Sequence, residues 1–160
     1  MSVLTTVASA TRPGSWDFPL VVHILGAMTL VGAVGLSAFS LVAAWRNGSA
    51  AMTQLAYRSL LWVALPAWIV MRAAAQWILH KEGLDADNVD LTWVNLGFNF
   101  SEGTLVLLLV ATLLAGIGAR RVRRADGGGA TTLDRVALVL VSIALIGYLV
   151  AIWAMTTKPA

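Results

Sequence analysis

Cysteine is absent from the 160 residues. Disulfides, thiolate metal sites and cysteine nucleophiles are therefore excluded. Charge is scarce: 12% of residues are charged and 59% hydrophobic, with a mean hydropathy of +0.81. Soluble domains carry about 25% charged residues. Only two imidazoles occur, His23 and His80, so one chain cannot build a three-histidine metal site. There is no HExxH, no GxSxG and no serine–histidine–acid pattern. The glycine run at 127–129 has no phosphate-loop lysine after it. "DADNVD" (Asp85 to Asp90) has no glycine at the sixth position of a calcium loop, and Leu96 stands where its twelfth-position glutamate belongs. It reads as an acidic, solvated loop.

Long apolar runs are what the chain has instead. Four segments are long enough, or nearly so, for the roughly 20 residues that cross a bilayer. They run from about Phe18 to Trp45, Tyr57 to Leu79, Glu102 to Ala119 and Leu133 to Met155. The expected fold is all-α: a single transmembrane domain over residues 1–160, folded as a four-helix bundle. "LTWVNLGFNF" either extends the third span or lies at the interface. The N-terminal stretch does not read as a signal peptide, because it lacks a basic region and its apolar run is too long. Pro66 is expected to bend the second span. Trp16, Trp45, Trp62, Trp77, Trp93 and Trp153 fall near the expected span ends, as an interfacial aromatic belt would.

The formal net charge is +3, and its placement gives a direction. Arg46 and Arg58 flank the first connection, "RNGSAAMTQLAYR". Arg120, Arg121, Arg123, Arg124 and Arg135 flank the third. The positive-inside rule makes both connections cytoplasmic and both termini external. Basic residues confined to span ends do not form the solvated face that nucleic acid needs. Lysine is limited to Lys81 and Lys158 while alanine and arginine abound, a bias of high-GC bacterial genomes. The expected location is the bacterial cell membrane, multi-pass.

One set of polar residues stands inside these runs. In "WIVMRAAAQWILHKEG", Arg72, Gln76 and His80 follow at i, i+4, i+8, within an 80° arc of one helix. Alternating spans bring His23 and Glu102 to the same outer layer. His23 shares an arc with Gly26, Ala27, Ala33 and Ser37, small residues that suit a helix interface. Glu102 shares one with Val106, Leu109, Leu113 and Gly116, also taken to face the bundle. On the fourth span the small face is Ala144, Gly147 and Ala151, with Tyr148 beside it. A charge inside a membrane costs about 2.5–3.5 kcal/mol on insertion scales. Arg72 is thus expected to pair with Glu102, with Gln76 and His23 filling its other donors. The plainer alternatives are a snorkelling Arg72, a solvated His80, and His23 and Gln76 as interhelical hydrogen bonds.

"LVVHILGAMTLVGAVG" resembles the opening helix of small bacterial four-helix membrane proteins. The copper-resistance D-type membrane domain is the looser relative, and that resemblance implies copper or haem chemistry at His23. "LPAWIVMRAAAQWILHKEG" and "YLVAIWAMTTKP" resemble an uncharacterised actinobacterial family of four-helix integral membrane proteins. It implies the same layout and no particular activity.

Three functions follow. The first is a noncatalytic binding protein whose cluster of His23, Arg72, Gln76, His80 and Glu102 holds haem b or a metal ion. His23 and His80 would be the ligands, and Arg72 would neutralise a propionate. The second is a structural or accessory protein whose partner is a second copy or another membrane protein. The third, a small-solute or proton pathway, has few polar groups to run on below Glu102. Binding or accessory roles lead, and an enzyme is not expected.

Overall fold

The computed structural model describes residues 17–82, 92–124 and 131–157. All regular structure among them is helical: α1 (Asp17–Asn47), α2 (Ala50–Ser59), a π-helical turn (Leu60–Ala64), α3 (Leu65–Glu82), α4 (Thr92–Arg124) and α5 (Thr132–Thr157). α2, the π turn and α3 form one continuous rod. Among the described residues there are thus four helices long and apolar enough to cross a membrane. With 31 residues, α1 is about 46 Å long at 1.5 Å per residue, well over the roughly 30 Å of hydrocarbon. The "DADNVD" stretch, Trp16 and the glycine run at 127–129 lie outside the described residues.

Local chemistry explains the ends. α1 carries Asp17 in its first turn and Arg46 in its last, each matched to the helix dipole. It stops at Gly48, whose φ of 63° is a left-handed conformation that glycine adopts without strain. The first connection is shorter than expected. "AMTQLAYR" is helical because Thr53, Ala56 and Ser59 recur on one buried stripe. α5 begins with a capping box: the Asp134 carboxylate accepts from the Thr131 backbone N–H at 2.7 Å and its hydroxyl at 2.9 Å. α4 starts at Thr92, so "TWVNLGFNF" extends the third long helix.

The helices stand antiparallel in a ring. α1 packs along α2 and α3 on one side and α5 on the other; α4 packs along α5 and α2. Alanine supplies more than half of the buried apolar positions, from Ala33 through Ala111 and Ala115 to Ala151. Large side chains point outward: Phe39 is 71% exposed, Leu113 66% and Ile146 61%. A water-soluble bundle does the reverse. Small residues let the backbones close up, and hydroxyls then bond across the seam. Ser59 donates to the Ala33 carbonyl at 3.0 Å, and Ser37, besides bonding the Ala33 carbonyl of its own helix, donates to that of Ala56 at 3.3 Å. Glycines mark the closest contacts. A Cβ at Gly26 would lie 3.0–3.1 Å from the Met71 backbone and Cβ, and one at Gly118 would run into the Asp134 carboxylate.

Pro66 acts through the π turn just before it. Proline has no N–H, and its ring collides with the carbonyl four residues back in an α-helix. A wider turn relieves the collision, and the Leu65 N–H reaches the Leu60 carbonyl five residues back. Beyond that turn the rod diverges from its neighbour: α4 packs along α2 but barely touches α3. Trp62 sits near the middle of the Ala50–Lys81 rod and is 73% exposed. It is therefore not at a helix end, where the aromatic belt had placed it. Trp45, Trp77 and Trp153 are exposed towards helix ends as expected.

Candidate functional site

The α3–α4 gap is bridged by side chains. The Arg72 guanidinium donates from Nη2 to Glu102 Oε1 at 3.1 Å, a salt bridge between side chains 19% and 61% exposed. With the Gln76 amide turned so that its oxygen faces the guanidinium, it accepts from Nη1 at 2.5 Å and Nη2 at 3.0 Å. One turn down, Trp68 Nε1 donates to the Ser101 carbonyl at 3.2 Å. Arg72, Gln76 and Glu102 therefore meet as the i, i+4 spacing and the antiparallel course required.

Glu102 reaches this pair from the flank. The arc it shares with Val106, Leu109 and Leu113 faces outward, at 60%, 44% and 66% exposure. The buried face of α4 is Ser101, Thr104, Leu108, Ala111 and Ala115 instead. Alanines and hydroxyls dominate this face because they permit close approach to α5.

His23 does not serve Arg72. Its Nδ1 lies 3.1 Å from the Met71 carbonyl, which can only accept, so Nδ1 carries the proton. In the neutral ring Nε2 then keeps its lone pair. Gly26, one turn along, is what brings α1 close enough for this bond. His80 stands at the far end of the Met71 helix. It lies exposed in the last turn of α3, nine residues past Met71 and so about 13 Å farther along the axis. The two histidines thus stand apart along the axis. Among the described residues no three or more histidines and carboxylates gather in metal-ligand geometry.

A cavity of about 80 Å³ lies below the Arg72–Glu102 bridge, lined by all four long helices. Ala27, Leu30, Val31 and Ala151 make most of the wall apolar; His23, Arg72, Ser101 and Tyr148 are the polar residues on it. The Ser101 hydroxyl is buried with no hydrogen-bond partner, and the buried Tyr148 hydroxyl has only that of Thr104 beside it. Sequence reasoning passed over Ser101 and Trp68. Ser101 precedes the apolar run that opens at Glu102, and its place on the buried face appears only once α4 begins at Thr92. Trp68 looked like one more apolar residue of a hydrophobic run.

The chain matches no protein family, no curated protein and no solved structure.

Proposed function

We propose that the chain is a multi-pass protein of the bacterial plasma membrane that binds a small neutral lipophile by its oxygen-bearing head, without catalysis. The observation that carries the reading is the apolar cavity with two buried hydroxyls on its wall, Ser101 without a partner and Tyr148 with only Thr104 beside it. A buried hydroxyl without a partner costs about 1–3 kcal/mol, which a ligand oxygen would recover. The His23 Nε2 lone pair would accept from a hydroxyl head, and the Ser101 and Tyr148 hydroxyls would donate to a carbonyl. Glu102 offsets the charge of Arg72, so the site favours a neutral head over an anion. The cavity is smaller than the roughly 150 Å³ that admits benzene. Only the head enters it, and the tail stays outside, along the exposed apolar side chains of the bundle.

Membrane placement rests on the outward-facing aliphatic shell and the alanine interior. Its direction rests on the arginines: Arg46, Arg58, Arg120, Arg121, Arg123, Arg124 and Arg135 belong to one end of the antiparallel bundle. That end is cytoplasmic and both termini are external. Haem b or a metal held by His23 together with His80 is disfavoured by their axial separation. A haem is also far larger than the cavity.

The test is organic extraction of protein purified in mild detergent, with mass spectrometry, metal analysis and an absorption spectrum. Wild type should carry a neutral lipophile near one per chain. Ala27→Leu, which fills the cavity, should lose it, and Ser101→Ala with Tyr148→Phe should retain several-fold less. A wild-type protein with no stoichiometric lipophile sinks the reading. A Soret band or stoichiometric copper in its place would restore the haem or metal reading. With neither, the mutually satisfied Arg72–Gln76–Glu102 cluster is a register device and the accessory role leads.

A further inference from the structure

At the opposite end of the bundle a second cavity, of about 200 Å³, opens between α2 and α4. Arg58, Arg120 and Arg123 line it, together with Gln54 and Tyr57, and no carboxylate does. Gly116 and Ala119 form its small-residue wall, and the Tyr57 ring lies so close to Gly116 that a Cβ there would be 2.8 Å from Cε2. Among the described residues none of the three guanidiniums has an acidic partner within ion-pair distance. The one described acid of this end, Asp134, is 2% exposed and turned to its own capping box and Gly118.

Helix geometry explains the convergence. Side chains tilt toward the N-terminus of their own helix. α2 begins at the arginine-rich end, so Arg58 leans toward that end. α4 finishes there, so Arg120 and Arg123 lean back toward the middle of the bundle. The three meet in the same cavity although Arg58 stands deeper along the axis. Orientation alone does not require this. Arg46, Arg121, Arg124 and Arg135 add positive charge at the same end without lining the cavity, and Arg135 instead stacks over Trp45 at 5.4 Å.

We propose that Arg58, Arg120 and Arg123 form a binding site for a phosphate oxyanion, supplied by the headgroup of an anionic phospholipid. Three guanidiniums on one cavity wall with no acid among the lining residues leave their charge for a bound anion to offset. The guanidinium fork matches two phosphate oxygens at once. Gln54 and the Tyr57 hydroxyl suit the glycerol hydroxyls of a phosphatidylglycerol head. The lipid is the favoured source because the same rod and α4 carry exposed apolar side chains about one turn farther along, Trp62 and Leu113, which an acyl chain can follow and free phosphate cannot use.

The assignment rests on the membrane placement proposed above, so entry of the full chain into nanodiscs is read first. A chain that does not enter them overturns that placement and the lipid source together. Native mass spectrometry of protein from mixed nanodiscs then reads which lipid stays bound. Wild type should retain phosphatidylglycerol over phosphatidylcholine by about tenfold or more. Arg58→Gln with Arg120→Gln should abolish most of that preference, with the unfolding temperature in zwitterionic detergent unchanged. Arg121→Gln with Arg124→Gln removes the same charge outside the cavity and should change the preference less than twofold. Equal losses in the two pairs would overturn the site, leaving only a diffuse basic surface. No preference in wild type would also overturn it. Displacement of the lipid by millimolar inorganic phosphate would overturn the lipid as source.

Discussion

Arg72 shows how exposure sets the worth of an ion pair. Breaking a fully buried pair costs about 3–5 kcal/mol. Glu102 is 61% exposed, so the protein does not enclose the pair, and with headgroup water at the mouth of α4 its coupling belongs nearer the exposed range of about 0.2–1 kcal/mol. A double-mutant cycle of Arg72→Met and Glu102→Gln, followed by unfolding in detergent, should give a positive coupling of about 0.5–1 kcal/mol. A coupling of zero would mean that Arg72 snorkels independently and that the bridge is not formed in solution. Glycines give the opposite lesson, because identical substitutions diverge. Gly32 and Gly35 meet nothing within 4 Å of a built Cβ, whereas Gly26 meets the Met71 backbone. Alanine at Gly32 or Gly35 should be neutral or stabilising by up to about 1 kcal/mol, following helix propensity. Gly26→Leu should cost about 1–3 kcal/mol through overpacking and break the His23–Met71 bond. Thermal unfolding of the three variants checks the ordering, and a stable Gly26→Leu protein would show that α1 and α3 are not in close contact.

At the scale of elements, the π turn decides where the polar groups of α3 end up. An extra residue in one helical turn rotates everything after it by about 100°. Arg72, Gln76 and Trp68 all lie after that turn and all face the α3–α4 gap. Pro66→Ala restores the missing N–H and removes the collision that the π turn relieves. The rod is expected to revert towards uninterrupted α-helix, swinging α3 and carrying Arg72 off Glu102. The readout is the same double-mutant cycle performed in the Pro66→Ala background, where the coupling should vanish. Retained coupling would show that packing of Leu60 and Ala64, both fully buried, holds the π turn without the proline.

The whole molecule is ordered by two gradients. One is radial, from alanine inside to leucine, isoleucine and phenylalanine outside. The other is axial, with seven arginines at one end. A chain without cysteine makes the axial gradient easy to test. Ser49→Cys should resist an impermeant thiol reagent on intact cells and react after permeabilisation, while Asp87→Cys should react on intact cells. The reverse pattern would invert the bundle, moving the cavity below Arg72 to the cytoplasmic leaflet and the arginine cavity to the external one.

Hydropathy alone determined that there are four long helices, because crossing hydrocarbon demands runs of apolar residues and nothing subtler. The spacing of Arg72 and Gln76, with an acid at the start of the neighbouring span, was enough to predict the ion pair, since charges in apolar surroundings must pair. Tertiary structure decided the rest. Glu102 shares an arc with aliphatic residues, and only the competition for close packing against α5 turned that arc outward. His23 bonds a main-chain carbonyl, and every residue has one, so no sequence pattern could point to Met71. The separation of His23 from His80 depended on the interhelical register, and the cavity depended on the divergence after the π turn. These are distances between elements, set by where small side chains let backbones close up and where a proline forces them apart.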